Sequence, residues 1–411
     1  MKSGSIIPYR WIILFIAWLT SFTCALTTFC YPPLLNEVML SLQLSTIQAG
    51  MLMSLTTLTT MSFNFIGGIL SDKIGTKITM GTGIAIISIS QITMIMANSY
   101  FTAALLRLLL GVGIGIATIC LIKAVSEWFP SKELAMAQSI QATGWASGNA
   151  LGLFLSIPLT QVLDIGWKGT FLLFGIFSLI INFVFWFLFK ESNISSSNKT
   201  HLKRQSNVQI LGLLRIKELW ILTIGLSGAF SSSSIVMTWL PKSLIDSGWN
   251  DMYAAQLSTI IPLVGIPANL VGGIISDRLG KRKPVIGISA IFLIASYAIL
   301  LLNPQEALIW LAAASSGWFN FFFIGPLLAI PSELPEVGQK RSGVFIGIIQ
   351  MFSGIAGFIS PIAVGWIQEI TGSFVLGFAF SSISSALLLV PAIFGRETGW
   401  NRSKKNNKIH L

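Results

Sequence analysis

Apolar residues in this chain run in stretches of about 20 broken by short polar turns, the length an α-helix needs to cross a hydrocarbon core. Twelve such stretches can be placed. The first six lie near 11–31, 46–70, 78–97, 101–125, 138–163 and 170–189. The second six lie near 218–240, 253–275, 284–302, 306–331, 342–367 and 374–395. The long interior interruption is "KESNISSSNKTHLKRQSNVQILGLLRIK", which is polar, basic and rich in Ser and Asn. It reads as a linker. The expected organisation is a six-helix bundle over 1–190, a linker over 191–216, a second six-helix bundle over 217–395 and a basic tail over 396–411. The fold class predicted is an all-α membrane protein.

Composition agrees. Of the 411 residues, 53% are hydrophobic and 10% charged, against about a quarter charged in soluble proteins. The mean hydropathy is +0.78. The net charge of +11 raises the question of a nucleic-acid partner, and the distribution of the bases answers it. With the N-terminus inside, all of the 26 lysines and arginines fall on inside segments except Lys168 and Lys242 outside and Arg107 and Lys123 within the fourth span. That is positive-inside charge, so both termini are expected in the cytoplasm of a multi-pass cell-membrane protein, a monomer among membrane lipids with no nucleic-acid partner. The first apolar run follows bases as a signal peptide does, but lacks a small-residue cleavage site and reads as a retained helix. The sequons at Asn193 and Asn198 fall in the inside linker. Cys24, Cys30 and Cys120 sit in apolar runs without framework spacing, and His201 and His410 in polar segments, so no metal site, disulfide or cofactor is expected.

Residues 67–77 read GGILSDKIGTK and residues 272–282 read GGIISDRLGKR. Asp72 and Asp277 are 205 positions apart, and the same offset joins Asn64 to Asn269, Gly68 to Gly273, Gly75 to Gly280 and Pro130 to Pro335. A shared offset over so many positions marks an internal duplication. With six spans per copy, the halves run in the same sense through the membrane. Each loop forces an antiparallel helix pair, and an acid at its rim can meet adjacent bases or a helix N-terminus.

These loops resemble the pattern G-x-L-x-D-R-x-G-R/K-R/K of the major facilitator superfamily, carried here by Gly68, Leu70, Asp72, Lys73, Gly75 and Lys77 and again by Gly273, Ile275, Asp277, Arg278, Gly280 and Lys281. The fourth span carries Arg107, Gly111, Gly113 and Gly115, similar to that family's R-x-x-x-G-x-G-x-G, and "EWFPSKELAMAQ" at 127–138 looks like its anion and cyanate/nitrate-porter-like branches. The resemblance covers the whole chain. It implies the major facilitator fold, with Gly68, Asp72, Lys73, Gly75, Gly273, Asp277, Arg278 and Gly280 as a conformational latch. Nitrate porters carry arginines in the zone where this chain has Asn64 and Asn269, which speaks against nitrate itself. "GVGIG" has no preceding strand and "LGKRK" lacks the P-loop glycine and hydroxyl, so neither is a nucleotide site.

An ionisable residue inside a span is a functional candidate by default. Arg107 lies about two turns into the fourth span from outside, and no acid lies deep in any span. It either faces a wet cavity and attracts an anion in two-pronged fashion, or caps backbone carbonyls and couples its helix to its neighbours. Lys123 is 16 residues on, about 24 Å along and roughly 160° around the helix, so it reads as a rim residue near Glu127. Gly111 and Gly115 read as close packing. Further substrate candidates are Asn64, Asn269, Gln141, Trp145 and Asn149 at helical spacing, Trp318, Asn320 and Gln350, with Ser231 to Ser234 in the seventh span. Each alone reads equally as a helix–helix hydrogen bond.

The expected function is a secondary active transporter, not an enzyme, moving a small organic or inorganic anion by alternating access of two halves around a midplane site. Symport is possible, though no proton carrier is visible. The alternative is a proton-coupled exporter of amphipathic compounds. It is weakened because the fifth span, "GWASGNALG", lacks the Gly-Pro motif typical of drug exporters. A membrane-embedded hydrolase would need buried His or paired acids.

Overall fold

The computed structural model describes residues 6–129, 131–162, 164–191, 212–302 and 305–399. Among them the regular structure is helical. α1 (Ile6–Phe29) and α2 (Tyr31–Leu42) form the first span, followed by α3 (Thr46–Ile74), α4 (Thr76–Thr93), α5 (Tyr100–Trp128), α6 (Ser131–Gln161) and α7 (Gly166–Leu188). Then come α8 (Lys217–Asp246), α9 (Asp251–Leu279), α10 (Lys283–Leu301), α11 (Glu306–Phe322), α12 (Ile324–Glu333), α13 (Gly338–Thr371), α14 (Val375–Ala386) and α15 (Leu389–Phe394). Ten of the helical stretches among the described residues are long and apolar enough to cross a membrane. The α3 and α6 helices are long enough as well, at 29 and 31 residues, and complete the twelve spans. Their hydroxyls and amides dilute the apolar signal. Most of the linker and the tail from 400 lie outside the described residues.

Three spans are interrupted. The first breaks at Cys30 and restarts with Pro32 and Pro33 in the first turn of α2, where a missing N–H costs nothing. It therefore runs on to Leu42, beyond the boundary near 31 that hydropathy suggests. The tenth breaks at Phe323, between α11 and α12, three residues before Pro326. The twelfth breaks between α14 and α15, ahead of Pro391.

Contacts sort the chain into two compact units, Met1–Arg204 with Leu244–Thr259, and Gln205–Ser243 with Ile260–Leu411. In the first, α1 packs on α6, α3 on α5, and α4 on both α5 and α7. Glycines set these approaches. A Cβ at Gly148 would meet the Phe22 carbonyl, and one at Gly111 the Thr56 carbonyl and Thr59 hydroxyl, so backbones touch where side chains would hold them apart. In the second unit hydroxyls do more of the joining. Ser353 donates to the Thr223 carbonyl at 3.2 Å, Ser234 to Gly357 at 3.0 Å and Ser360 to Ser231 at 3.3 Å, all between α8 and α13. Buried Trp239 donates its indole N–H to the Pro361 carbonyl at 3.1 Å. Many threonine hydroxyls, such as Thr20, Thr23 and Thr28, bond the carbonyl four residues back, which satisfies them inside an apolar span.

Each unit is clasped at one end by a carboxylate. Glu191, just past α7, accepts the Lys77 backbone N–H at 2.9 Å in the first turn of α4. Glu397, just past α15, accepts the Arg282 N–H at 2.6 Å and the Lys283 N–H at 3.3 Å where α10 begins. An anion suits these orphan amides and the positive end of the helix dipole.

Candidate functional site

The α5 helix starts from a capping box at Ser99 and Thr102, and two turns in it carries Arg107. The residue is 1% exposed. Its guanidinium carbon lies 4.1 Å from the Tyr31 ring centroid and 5.3 Å from that of Phe171. Its Nε, Nη1 and Nη2 have no hydrogen-bond partner among the described residues. Cation–π contacts of this kind are worth about 2 kcal/mol each when desolvated, but a ring face accepts none of the five in-plane N–H donors. Burying a charge without bonded partners costs several kcal/mol. The site is thus incomplete in a specific sense: a buried cation touches two rings, and its N–H donors have no acceptor among the described residues.

The surroundings hold that cation in place. Thr56 Oγ1 donates to the Arg107 carbonyl at 3.2 Å, and Gly111, one turn along, lets α3 come close enough for this. Tyr31 begins α2 at the break in the first span, and its hydroxyl donates to the Ala49 carbonyl at 3.0 Å. Phe171 on α7 is buried and edge-on to Trp167, centroids 5.9 Å apart. The unfilled N–H donors lie in the guanidinium plane, the geometry in which a carboxylate or sulfonate takes two parallel hydrogen bonds.

Of the α6 candidates, Trp145 reaches the helix that carries Arg107. Trp145 packs on Cys24, Leu110 and Ile114 and edge-on to Phe29 at 6.2 Å, two residues before Tyr31. Asn149 is 3% exposed with an unpartnered Oδ1, and Gln141 is buried two turns earlier. The α1 end that leads into Tyr31 thereby meets Trp145, which packs against the helix that carries Arg107. Asn64 does not join them. It lies eight residues beyond Thr56 on α3, about 12 Å further, with its backbone N against Gly115 and its Oδ1 unpartnered. Lys123 turns to the rim, its Nζ donating to Ser71 Oγ at 3.2 Å.

In the second unit, Trp318 stacks on Phe322 at 6.4 Å and packs with Ala268 and Val285. The Asn269 Oδ1 lies 3.6 Å from where a Cβ on Gly325 would stand, beside the break in the tenth span. Asn320 is buried and Gln350 is exposed on α13. A cleft of about 350 Å³ among α8, α13 and α14, lined by Ser227, Ser231, Ser360, Phe380 and Ile383 among others, contains Ser231 of the seventh-span serines but not Asn269, Trp318, Asn320 or Gln350.

The two loop motifs differ in detail. In the first, Gly75 has φ +96° and a Cβ there would strike Glu191, Lys73 is exposed, and the Asp72 side chain lies outside the described structure. In the second, Gly280 has φ +63° and Asp277 pairs with Arg282 at 2.5 Å, while Arg278 is exposed. Arg282 also meets Glu333 at 2.6 Å. The Glu333 hydrogen bonds, with those of Asp277 behind them, hold the Arg282 guanidinium above its ordinary pKa. Arg396 pairs with Glu218 at 2.5 Å and Glu336 at 2.6 Å. Sequence reasoning missed Tyr31, Phe171, Glu191, Glu333 and Glu397. The "CYPP" run at 30–33 signals a break that could have pointed to Tyr31, whereas nothing in the spacing points to Phe171.

Comparison with known proteins follows the same lines. A family profile described as Major Facilitator Superfamily matches residues 17–361. The chain is 27% identical over 385 residues to a probable sulfoacetate transporter of Cupriavidus necator, covering 88% of this chain and 86% of that one. It is 26% identical over 356 residues to a hexuronate transporter of Bacillus subtilis, covering 81% and 82%. A solved bacterial homologue of the human lysosomal transporter Spinster, inward-facing and unoccupied, shares the fold with a TM-score of 0.76 at 14% identity, over 96% of this chain and 97% of that one.

Proposed function

Because the chain belongs to the Major Facilitator Superfamily, and is therefore a multi-pass membrane transporter rather than an enzyme, we propose that it moves a small anion across the cell membrane by alternating access, with Arg107 as the group that takes the anion. The observation that carries this is the Arg107 guanidinium, buried, in contact with the rings of Tyr31 and Phe171, and without a bonded partner at any nitrogen among the described residues. An anion entering in the plane supplies the missing acceptors and relieves the cost of the lone buried charge. The two named solutes of the relatives, sulfoacetate and hexuronate, are organic acids, and the planar, two-pronged edge suits a carboxylate or sulfonate better than a larger headgroup.

Trp145 supplies an apolar wall beside it and Asn149 and Gln141 polar groups. Asn64, Asn269, Trp318, Asn320 and Gln350 belong to the pathway the solute follows. The loop residues Gly68, Asp72, Lys73, Gly75, Gly273, Asp277, Arg278 and Gly280 act as the cytoplasmic latch. The chain works as a monomer of two six-helix domains, 1–190 and 217–395, joined by the 191–216 linker. The test is uptake into proteoliposomes from a panel of organic carboxylates, organic sulfonates and nitrate. At least one organic acid is taken up by the natural protein and none by Arg107→Ala. Unchanged uptake in Arg107→Ala ends the assignment.

A further inference from the structure

The duplication supplies an internal comparison at the cytoplasmic rim. Lys77 corresponds to Arg282 by the 205-residue offset, and Lys190 to Arg396 because Glu191 and Glu397, the next residues, cap the same helix start in each half. In the second unit both cations are neutralised, Arg282 by Asp277 and Glu333, and Arg396 by Glu218 and Glu336. The offset places Trp128, Ile13 and Ser131 where Glu333, Glu218 and Glu336 stand, and keeps an acid, Asp72, where Asp277 stands, its side chain outside the described structure. Among the described residues no carboxylate pairs with the side chain of Lys77 or Lys190. Their ammonium groups lie on rings instead, Lys77 at 5.8 Å over Trp186 and Lys190 at 4.9 Å over Tyr9. Tyr9 in turn packs on Trp128 at 5.4 Å, so an aromatic ring has replaced the acid of the other half.

We propose that Lys77 and Lys190 form a binding site for the phosphodiester headgroup of an anionic phospholipid at the cytoplasmic rim of the first unit. Trp186 is 39% exposed and its neighbour Phe187 82% exposed, at the last turn of a span, the depth where aromatic rings meet headgroups. The anionic leaflet is the one that faces the cytoplasm, and clustered bases beside a span are what holds such lipids. Among the described side chains the acid beside them is Glu191, and it has an Oε1 committed to the Lys77 backbone N–H. The acyl chains would lie along Trp186 and Phe187. The inference is independent of the Arg107 assignment.

The test compares thermal unfolding of the purified full chain in detergent with added phosphatidylglycerol or phosphatidylcholine. The natural protein gains a larger rise in Tm from phosphatidylglycerol. Lys77→Gln/Lys190→Gln loses more than half of that extra rise, and Lys77→Arg/Lys190→Arg keeps it. Arg215→Gln/Lys217→Gln, which removes two exposed cations from the other unit, keeps it as well. Should the glutamine pair fail to fold, the exposed single variant Lys190→Gln replaces it, with bound lipid counted by native mass spectrometry and expected to fall. The idea is overturned by an extra rise that survives Lys77→Gln/Lys190→Gln, by an equal loss in the control pair, by undiminished bound lipid in Lys190→Gln, or by the same rise from inorganic phosphate alone.

Discussion

Replacing Arg107 by Met should make the empty protein more stable and the loaded protein harder to obtain, two effects of opposite sign at one residue. Methionine keeps an unbranched stem beside Tyr31 and Phe171 and removes the charge. Two desolvated cation–π contacts of about 2 kcal/mol each are lost, and so is the burial cost of an unpartnered cation, which is several kcal/mol and the larger quantity. Exchange of buried charge for packed hydrophobe stabilises by about 1–4 kcal/mol in comparable cases. Unfolding entropy of about 2.1 cal/mol/K per residue over 411 residues makes that a rise in Tm of about 1–5 °C. Anion binding moves the other way. Two charge-assisted hydrogen bonds at about 1.5–3 kcal/mol each amount to roughly a 10²–10⁴-fold loss of affinity, at 1.4 kcal/mol per decade. Calorimetric unfolding without ligand, followed by titration with the organic acid found in the uptake assay, measures both. A variant that melts lower than the natural protein when empty, yet binds the acid within threefold, would refute the reasoning.

Two other changes separate neighbouring roles. Tyr31→Phe removes the hydroxyl bonded to Ala49 and keeps the ring, so it should cost about 1 kcal/mol of stability with affinity nearly unchanged, whereas Tyr31→Leu removes the ring and should weaken binding by roughly tenfold; thermal unfolding and titration of both variants check this. Arg282→Met strands Glu333 and Asp277, which share its guanidinium, and should lower stability by about 2–3 kcal/mol, read as a fall in Tm.

The twelve spans, their orientation and the major facilitator relationship were legible because each rests on a one-dimensional signal: length of apolar run, placement of bases, and a fixed offset between copies. Arg107 was legible as a cation with no acid at its depth. The rings beside it were not, because Phe171 comes from a helix five spans later along the chain than Tyr31's, and apolar spans offer many equivalent aromatics. The same limit hid the acids of the rim. Glu333 and Glu397 reach Arg282 from 51 and 115 residues away, and only the three-dimensional arrangement says that Asp277 pairs with Arg282 rather than with its immediate neighbour Arg278. The proline-marked breaks at Cys30 and Phe323 fall between, since the prolines are visible but which helix continues past them depends on packing.

The carboxylates that tie the last helix of each bundle to the start of its third have a mechanical consequence. A bundle fastened at one end resists shear, and a stiff body turns a small local displacement into rotation instead of absorbing it. The α5 helix is 29 residues, about 44 Å, so a tilt of about 10° carries its far end through about 8 Å. With Glu191 and Glu397 acting as rivets, each bundle is a lever of that length, and an ångström of movement beside Arg107 has an arm long enough to open or shut an end of the molecule.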